Sequence, residues 1–415
     1  MSREVEQLTA HLFREFSGKM AAVLIRRFGV SQLDNIMDVV QDTFEAALIK
    51  WKFSGIPQEP SAWLMKVAGN KMVNVWKRQK FKTSLEADHE LTEESATDNI
   101  SVSPNEIADS QLRLLCACCH EGLPLRSQIS ITLYVLCGFG VPEISNALQM
   151  NQEAVKKSLT RSKQFLKSRS DLFEERNIND RNLSLVHTIL YLIFNEGYKT
   201  TRAPEAIDHA LCFEAMRLTR LIHEMNHVSK LETKALLALM FFNLSRFEAR
   251  FDAEGISLTL EEQDRKLWNR IFIEEGFRYL NEATRRECVS KYHLEALISS
   301  YHCIAADINS TNWKQISFLY GELEKLEPES LQIKINRIIA ESYFTEPQTT
   351  INKLNNLDAE HNDNLKYLLK ITKAELLRRW GFRQEAATVF SEALKLAGSP
   401  VDISYIKRRS EQCSG

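Results

Sequence analysis

On a helical projection of Gln152 to Lys167, Val155, Leu159, Ser162 and Leu166 fall on one side. Gln152, Lys156, Lys157, Thr160, Arg161, Lys163 and Gln164 fall on the other. Cations interleaved with amide and hydroxyl groups on one helix face can neutralise phosphates and hydrogen-bond base edges in a major groove. A helical hairpin with a solvated basic face is the competing reading. The residues upstream could position such a helix. Pro142 suits a first helical turn. Ile144, Ala147, Leu148, Met150, Val155 and Leu159 form an apolar set able to hold two helices across a tight turn, as in a helix-turn-helix.

A second polar row lies near the N-terminus. In AWLMKVAGNKMVNVWKRQK, Lys66, Asn70, Asn74 and Lys77 share one face, joined by Lys71, Arg78 and Lys80, with Trp63 and Trp76 adding ring surface. Such a face can bind phosphate, read base edges and stack unpaired bases. An amphipathic core helix with buried tryptophans fits the pattern equally well. Its core side would be Leu64, Val67, Ala68, Met72 and Val75, and Ser61 suits its N-cap. Before it, a turn is expected at Ser54-Gly55-Ile56-Pro57. Leu33 to Trp51 carries a single apolar stripe (Leu33, Ile36, Val40, Phe44, Ala47, Leu48, Trp51). The opposite face bears Asp34, Asp38, Gln41, Asp42 and Glu45, which on residue types alone is a solvated surface.

Other chemistries find less support. Cys116, Cys119 and His120 would share a helix face suited to a metal, with Cys118 beside them, yet no second ligand pair stands at zinc-like spacing. Small buried residues packing a helix pair is the preferred reading, and no metal or cofactor is expected. There is no Gly-rich phosphate loop, no HExxH and no GxSxG, and His187, His209, His223 and His227 are isolated, so an enzyme is not expected. In Ser245 to Arg270 the polar residues Arg246, Arg250, Asp264 and Arg265 approach Trp268 in sequence. They read either as a salt-bridged helix junction or as a regulatory contact.

Only 14 glycines and 9 prolines interrupt 415 residues, which points to an all-α chain of two or three domains. Charge is distributed in blocks. Residues 1–82 carry a net +5, residues 83–111 a net −8 without a single Lys or Arg, residues 112–170 again +5, and the remainder −4. Two basic modules joined by an acidic strap imply a polyanionic partner, of which nucleic acid is the commonest. The expected divisions are therefore 1–82, a linker over 83–111, a helix-turn-helix module over 112–172, and a helical body over 173–415. Helices in that body are expected at 183–196, 204–224, 231–247, 261–284, 293–308, 313–326, 331–344, 364–380, 383–397 and 401–411. Two stretches approach the tetratricopeptide (TPR) pattern. One carries Trp313, Ile316, Tyr320, Leu323 and Pro328, the other Ala374, Gly381, Ala386, Phe390, Ala393 and Leu394. Such TPR-like bodies offer a concave surface to a protein or peptide partner. No stretch is long enough to span a bilayer, and the charged N-terminus is unlike a signal peptide, so a cytoplasmic protein with free thiols and no membrane partner is expected.

The order of DVVQDTFEAAL, GIPQEPSAWLMKVAGNKMVNVWKRQ, an acidic linker and VPEISNALQMNQEAVKKSLTRSKQFL resembles RNA polymerase sigma factors of the extracytoplasmic-function (ECF) type. LYLIFNEGY, LLALMFFNLSRFEARFD, LEEQDRKLW, SKYHLEA and ELLRRWGFRQEAATVFSEALKLAG extend the resemblance to the subgroup with a fused TPR-like extension. The resemblance implies two sigma modules, the second a helix-turn-helix, that direct transcription initiation without catalysis. It implies contacts to core RNA polymerase, at the β′ clamp helices and β flap, and to promoter DNA. Asp38, Gln41, Asp42 and Glu45 would dock on the polymerase. Trp63, Lys66, Asn70, Asn74, Trp76, Lys77 and Arg78 would engage the −10 element, with the loop Gly55 to Ser61 holding a flipped base. Gln152, Lys156, Lys157, Thr160, Arg161 and Lys163 would read the −35 element. The acidic linker would thread into the polymerase cleft, and the C-terminal body would regulate in cis. The alternative is a helix-turn-helix regulator that binds its operator without polymerase, with a TPR-like sensor.

Overall fold

A computed structural model describes residues 2–83, 103–148, 150–174, 180–199, 206–224, 231–252, 258–285, 289–357, 363–397 and 400–414. Among these residues the chain is all-α, with 19 helices, short 3₁₀ turns and no strand. Most of the expected acidic linker, residues 84–102, lies outside the described residues. No described helix is long and apolar enough to cross a membrane. By backbone contacts the chain divides into two compact units, residues 1–197 with 213–228, and residues 198–212 with 229–415.

In the first unit, α1 (Ser2–Phe28), α2 (Leu33–Ser54) and α3 (Pro60–Thr83) pack on one another. The α2 stripe does what its spacing requires: Leu33, Ile36, Val40, Phe44, Ala47 and Trp51 are all buried. Gly55, at φ +78°, closes α2 in a conformation that suits glycine. Pro60 takes the first position of α3, so Ser61 lies within the first turn and is not the cap expected.

The helix α4 (Pro104–Cys118) begins inside the stretch read as linker. Its start is set by a capping box in which the Ser103 side chain and Glu106 satisfy each other's backbone N–H, with Pro104 in the first turn. Behind that cap, Leu112, Leu114 and Leu115 enter the core. Next come α5 (Leu125–Leu136), α6 (Val141–Ala147), α7 (Gln152–Ser168) and the single turn α8 (Asp171–Glu174). The core of this part includes Cys118, Cys119 and Cys137, whose burial pushes their thiols up. α1 also packs against α4 and α5, so both basic modules belong to one unit. At Gly18 a Cβ would stand 2.1 Å from the Leu136 carbonyl oxygen, so only glycine permits the approach of α1 to α5. The first unit is completed by α9 (Asp180–Lys199) as far as Gly197 and by α10 (Ala206–Glu224) from Phe213 onward.

The second unit holds α11 (Leu231–Leu244), α12 (Arg270–Ala283), α13 (Lys291–Ile304), α14 (Trp313–Leu326), α15 (Leu331–Glu341), α16 (Pro347–Asn355), α17 (Asp363–Arg379), α18 (Arg383–Leu394) and α19 (Pro400–Ser414). Each packs chiefly on neighbours in sequence. The single helix expected over 261–284 is instead a 3₁₀ turn, Arg265–Leu267, followed by α12, whose Phe272 N–H donates to Asn269 Oδ1 at 3.1 Å. α16 escapes sequence reading because only Thr350 and Leu354 of its nine residues are buried, leaving almost no apolar period.

The Ser245–Arg270 cluster forms an internal brace. Arg246 donates to Gln263 Oε1 at 3.1 Å and lies over the Trp268 ring. Arg265 flanks the same ring and donates to the carbonyls of His302 (2.8 Å) and Ala305 (2.6 Å) at the end of α13. Arg250 donates to the Tyr198 carbonyl and sits 3.9 Å from that ring's centroid. Asp264 accepts from Lys266 N at 2.9 Å, and Trp268 is only 3% exposed. Arg246, Arg250 and Arg265 thus hold groups from separate segments of the unit, while Asp264 caps the short 3₁₀ turn.

Candidate nucleic-acid interface

α6 is capped at Leu148 and α7 at Asn151, and between them Met150 N donates to the Ser145 carbonyl at 3.0 Å. Gly140 N donates to Glu143 Oε2 at 2.7 Å to start α6, and Asn151 Oδ1 accepts from Glu153 N and Ala154 N to start α7. Ile144, Val155, Leu159, Ser162 and Leu166 are buried beneath the pair. Gln152, Lys156, Lys157, Thr160 and Arg161 are exposed on α7, forming one basic surface. Within it, Lys156 pairs with Glu153 at 2.8 Å, and the Thr160 hydroxyl donates to the Lys156 carbonyl.

Lys163 departs from the expected face. It is half-buried, 4.5 Å from the centroid of the Tyr134 ring, and its ammonium lies 3.0 Å from Asp34 Oδ1 on α2. Lys167 donates to the other oxygen of Asp34. Burial alone would lower the Lys163 pKa, but Tyr134 and Asp34 outweigh it and hold the ammonium above its usual range. Position 163 stands at the edge of the α7 apolar stripe, and its partner is supplied by a distant segment.

On α3, Lys66, Asn70, Asn74, Lys77 and Arg78 are exposed along one face, while Leu64, Ala68 and Met72 are buried on the other. Trp63 and Trp76 are half-buried at the margins. Trp63 packs edge-on to the buried Trp51, with ring centroids 5.4 Å apart, and Lys50 reaches over its ring. Lys71 is drawn inward and donates to the Asp42 carbonyl at 2.6 Å, tying α3 to α2. The four polar residues of α2, Asp38, Gln41, Asp42 and Glu45, are exposed. Gln41 and Glu45 also border a cavity of about 630 Å³ lined by Phe13, Phe44, Cys137 and Glu143.

A residue that sequence reasoning passed over stands beside this surface. Phe53 is 89% exposed at the end of α2, with Ile49 at 58% and Ile56, in the loop before α3, at 41%. An aromatic ring so exposed offers a free face on which a base could stack. The available signal was that Phe53 falls off the α2 apolar stripe yet adjoins a turn.

Comparison with known proteins agrees with this geometry. Residues 12–82, which hold α2 and α3, match Sigma-70 region 2. Residues 182–284 match a Family of unknown function (DUF6596). The chain is 31% identical over 382 residues to the uncharacterized protein R00370 of Rhizobium meliloti, with 89% of each chain covered. No solved structure matches. The region 2 match falls on the helices that present the acidic row and the Lys/Asn row. The chain carries a sigma-70 region 2, which supports a sigma-70 family sigma factor of transcription initiation that binds core RNA polymerase and promoter DNA.

Proposed function

We propose that this sigma factor is of the ECF type and reads a promoter through two helices held in one unit. Lys66, Asn70, Asn74, Lys77 and Arg78 on α3 engage the −10 element, with Trp63, Trp76 and the neighbouring loop receiving unstacked bases. Each captured base is worth roughly 1–3 kcal/mol of stacking. Gln152, Lys156, Lys157, Thr160 and Arg161 on α7 form the reading face of a helix-turn-helix for the −35 element, where phosphate contacts set register and base-edge contacts specify. Asp38, Gln41, Asp42 and Glu45 dock on the β′ clamp helices, and the second module docks on the β flap. The factor acts in the cytoplasm and catalyses nothing itself. The C-terminal helices are read as a TPR-like body that regulates initiation in cis and receives a protein or peptide partner.

The observation that carries the reading is the pairing of two exposed cation-and-amide faces, on α3 and α7, with an acidic face on α2. The test is in vitro transcription with core polymerase and the full chain on host genomic fragments. The expected result is initiation at discrete start sites, lost in Lys157→Ala/Arg161→Ala although the variant still comigrates with polymerase. Operator binding as a dimer with no polymerase association would favour the simple regulator instead.

A further inference from the structure

The second unit encloses a cavity of about 350 Å³ among α14, α15, α17, α19 and the turn at Thr259–Glu262. Four aromatic side chains stand in its walls among aliphatic and polar ones. Trp313 and Tyr343 stack face to face, with centroids 3.7 Å apart and planes 2° from parallel, and the Arg379 guanidinium lies 4.0 Å over Tyr343. Tyr320 and Tyr405 line the same space. Such an aromatic enclosure with a few fixed polar groups has the size and character of a small-molecule site.

The polar groups decide what could enter. The Trp313 N–H is engaged by the Ile308 carbonyl at 3.0 Å, and the Tyr405 hydroxyl donates to Glu375 Oε1 at 2.7 Å. Tyr343 donates to Glu261 Oε1, and Arg379 Nη1 reaches the same oxygen at 3.0 Å. Burial, then its bond to Glu261, pushes the Tyr343 hydroxyl up, so it remains a donor to that carboxylate. Glu261 Oε2 has no hydrogen-bond partner among the described residues. The wall's donors named here are thus committed, whereas Glu261 Oε2 is open and the buried Nδ1 of the neutral His302 ring in the same wall also has no partner. Arg379 already neutralises Glu261, so a second cation would gain little and meet Arg379, while an anion would face Glu261 and Glu375.

We propose that this cavity binds a small uncharged aromatic molecule carrying one N–H or O–H donor, packed beside Trp313, Tyr320 and Tyr405 and hydrogen-bonded to Glu261. The inference goes beyond the promoter-binding reading, because its test needs no polymerase and no DNA.

The test is isothermal titration of the full-length protein with four probes sharing one ring: indole, 1-methylindole, tryptamine and indole-3-acetate. Indole should bind saturably with one site per chain. 1-Methylindole, which lacks the donor, should bind more weakly by about tenfold or more, the worth of one hydrogen bond to a carboxylate. The cationic and anionic probes should be weaker than indole. Ile339→Trp, which fills the cavity, should abolish binding, and Glu261→Gln should weaken it while preserving the shape. Absence of saturable indole binding overturns the proposal, as does equal affinity for indole and 1-methylindole. Both results are read on the wild-type chain, so a variant that fails to fold does not rescue it.

Discussion

Asp34 on α2 and Lys163 on α7 lie 3.0 Å apart, and Lys167, one turn further along α7, donates to the same carboxylate. Burial pushes the Asp34 carboxyl up, but the hydrogen bonds from Lys167 and Lys163 outweigh it and hold its pKa below the usual range. Asp34→Asn should release both ammonium groups for phosphate. Fluorescence anisotropy with duplex DNA should show tighter binding and a log–log salt slope steeper by about 1–2. Unchanged affinity and slope would mean that neither lysine reaches DNA. The pair's own stability contribution is about 0.2–1 kcal/mol, since Asp34 remains half exposed. With a lowered folded pKa, that contribution is present above about pH 4 and is lost as pH falls below it.

Gly18→Ala should open the seam between α1 and α5. The added Cβ meets the Leu136 backbone, which has no flexible end to move aside. A loss of about 1–3 kcal/mol is expected, read as a drop in the melting temperature of the first unit. An unshifted melt would show that the helices can separate freely.

Phe53→Ala should leave stability within about 0.5 kcal/mol, because the ring is exposed and packs on little. Promoter opening, followed with 2-aminopurine in the −10 region, should fall by the worth of one stacked base, about 1–3 kcal/mol. Normal opening kinetics would remove Phe53 from the DNA surface.

Asp38→Lys combined with Asp42→Lys should sharply weaken association with core polymerase while leaving the fold intact, since both side chains are exposed on α2. Native gel shift of core polymerase is the measurement, and full retention of binding would place the docking face elsewhere.

These surfaces were legible to different degrees. The α2 stripe and the exposed residues of α7 follow from spacing alone, because an amphipathic helix must turn its apolar side to the core. Lys163 was not legible: its helical angle is marginal, and its partner Asp34 comes from another module. The start of α4 was hidden in acidic sequence, although Ser103 and Glu106 carry the capping signature. The cavity in the second unit could not be read at all, because Glu261, Trp313, Tyr343 and Arg379 come from four separate segments. Around Trp268 the residue types allowed a helix junction, but the carbonyls of His302 and Ala305 that Arg265 reaches lie about forty residues away in the chain.

Arg409 offers a test of how the last helix is held. It is 3% exposed and forms a bidentate pair with Glu262; its Nε stands 3.0 Å from Glu375 Oε1, without hydrogen-bond alignment. Burial pushes the Glu262 carboxyl up, but Arg409 and the Thr259 donors outweigh it and bring its pKa down to about 2. Arg409→Met should destabilise the second unit by about 3–5 kcal/mol, leaving Glu262 without its cation while Glu375 keeps Arg378. Because the folded pKa is depressed, Glu262 stabilises above its usual range near pH 4.3 and loses that contribution as pH falls toward 2. Acid melts should therefore diverge for wild type and coincide with the variant near pH 2.

The two units do not follow one another along the chain: residues 198–212 and 213–228 of the same stretch belong to different units. The DUF6596 match, residues 182–284, runs across that exchange. A cut after α8 would therefore strip the first unit of α9 and the end of α10, removing buried Val186, Ile189, Leu190 and Leu218. The C-terminal half is consequently no detachable cassette. A truncation meant to isolate the first unit has to keep α9 and the end of α10.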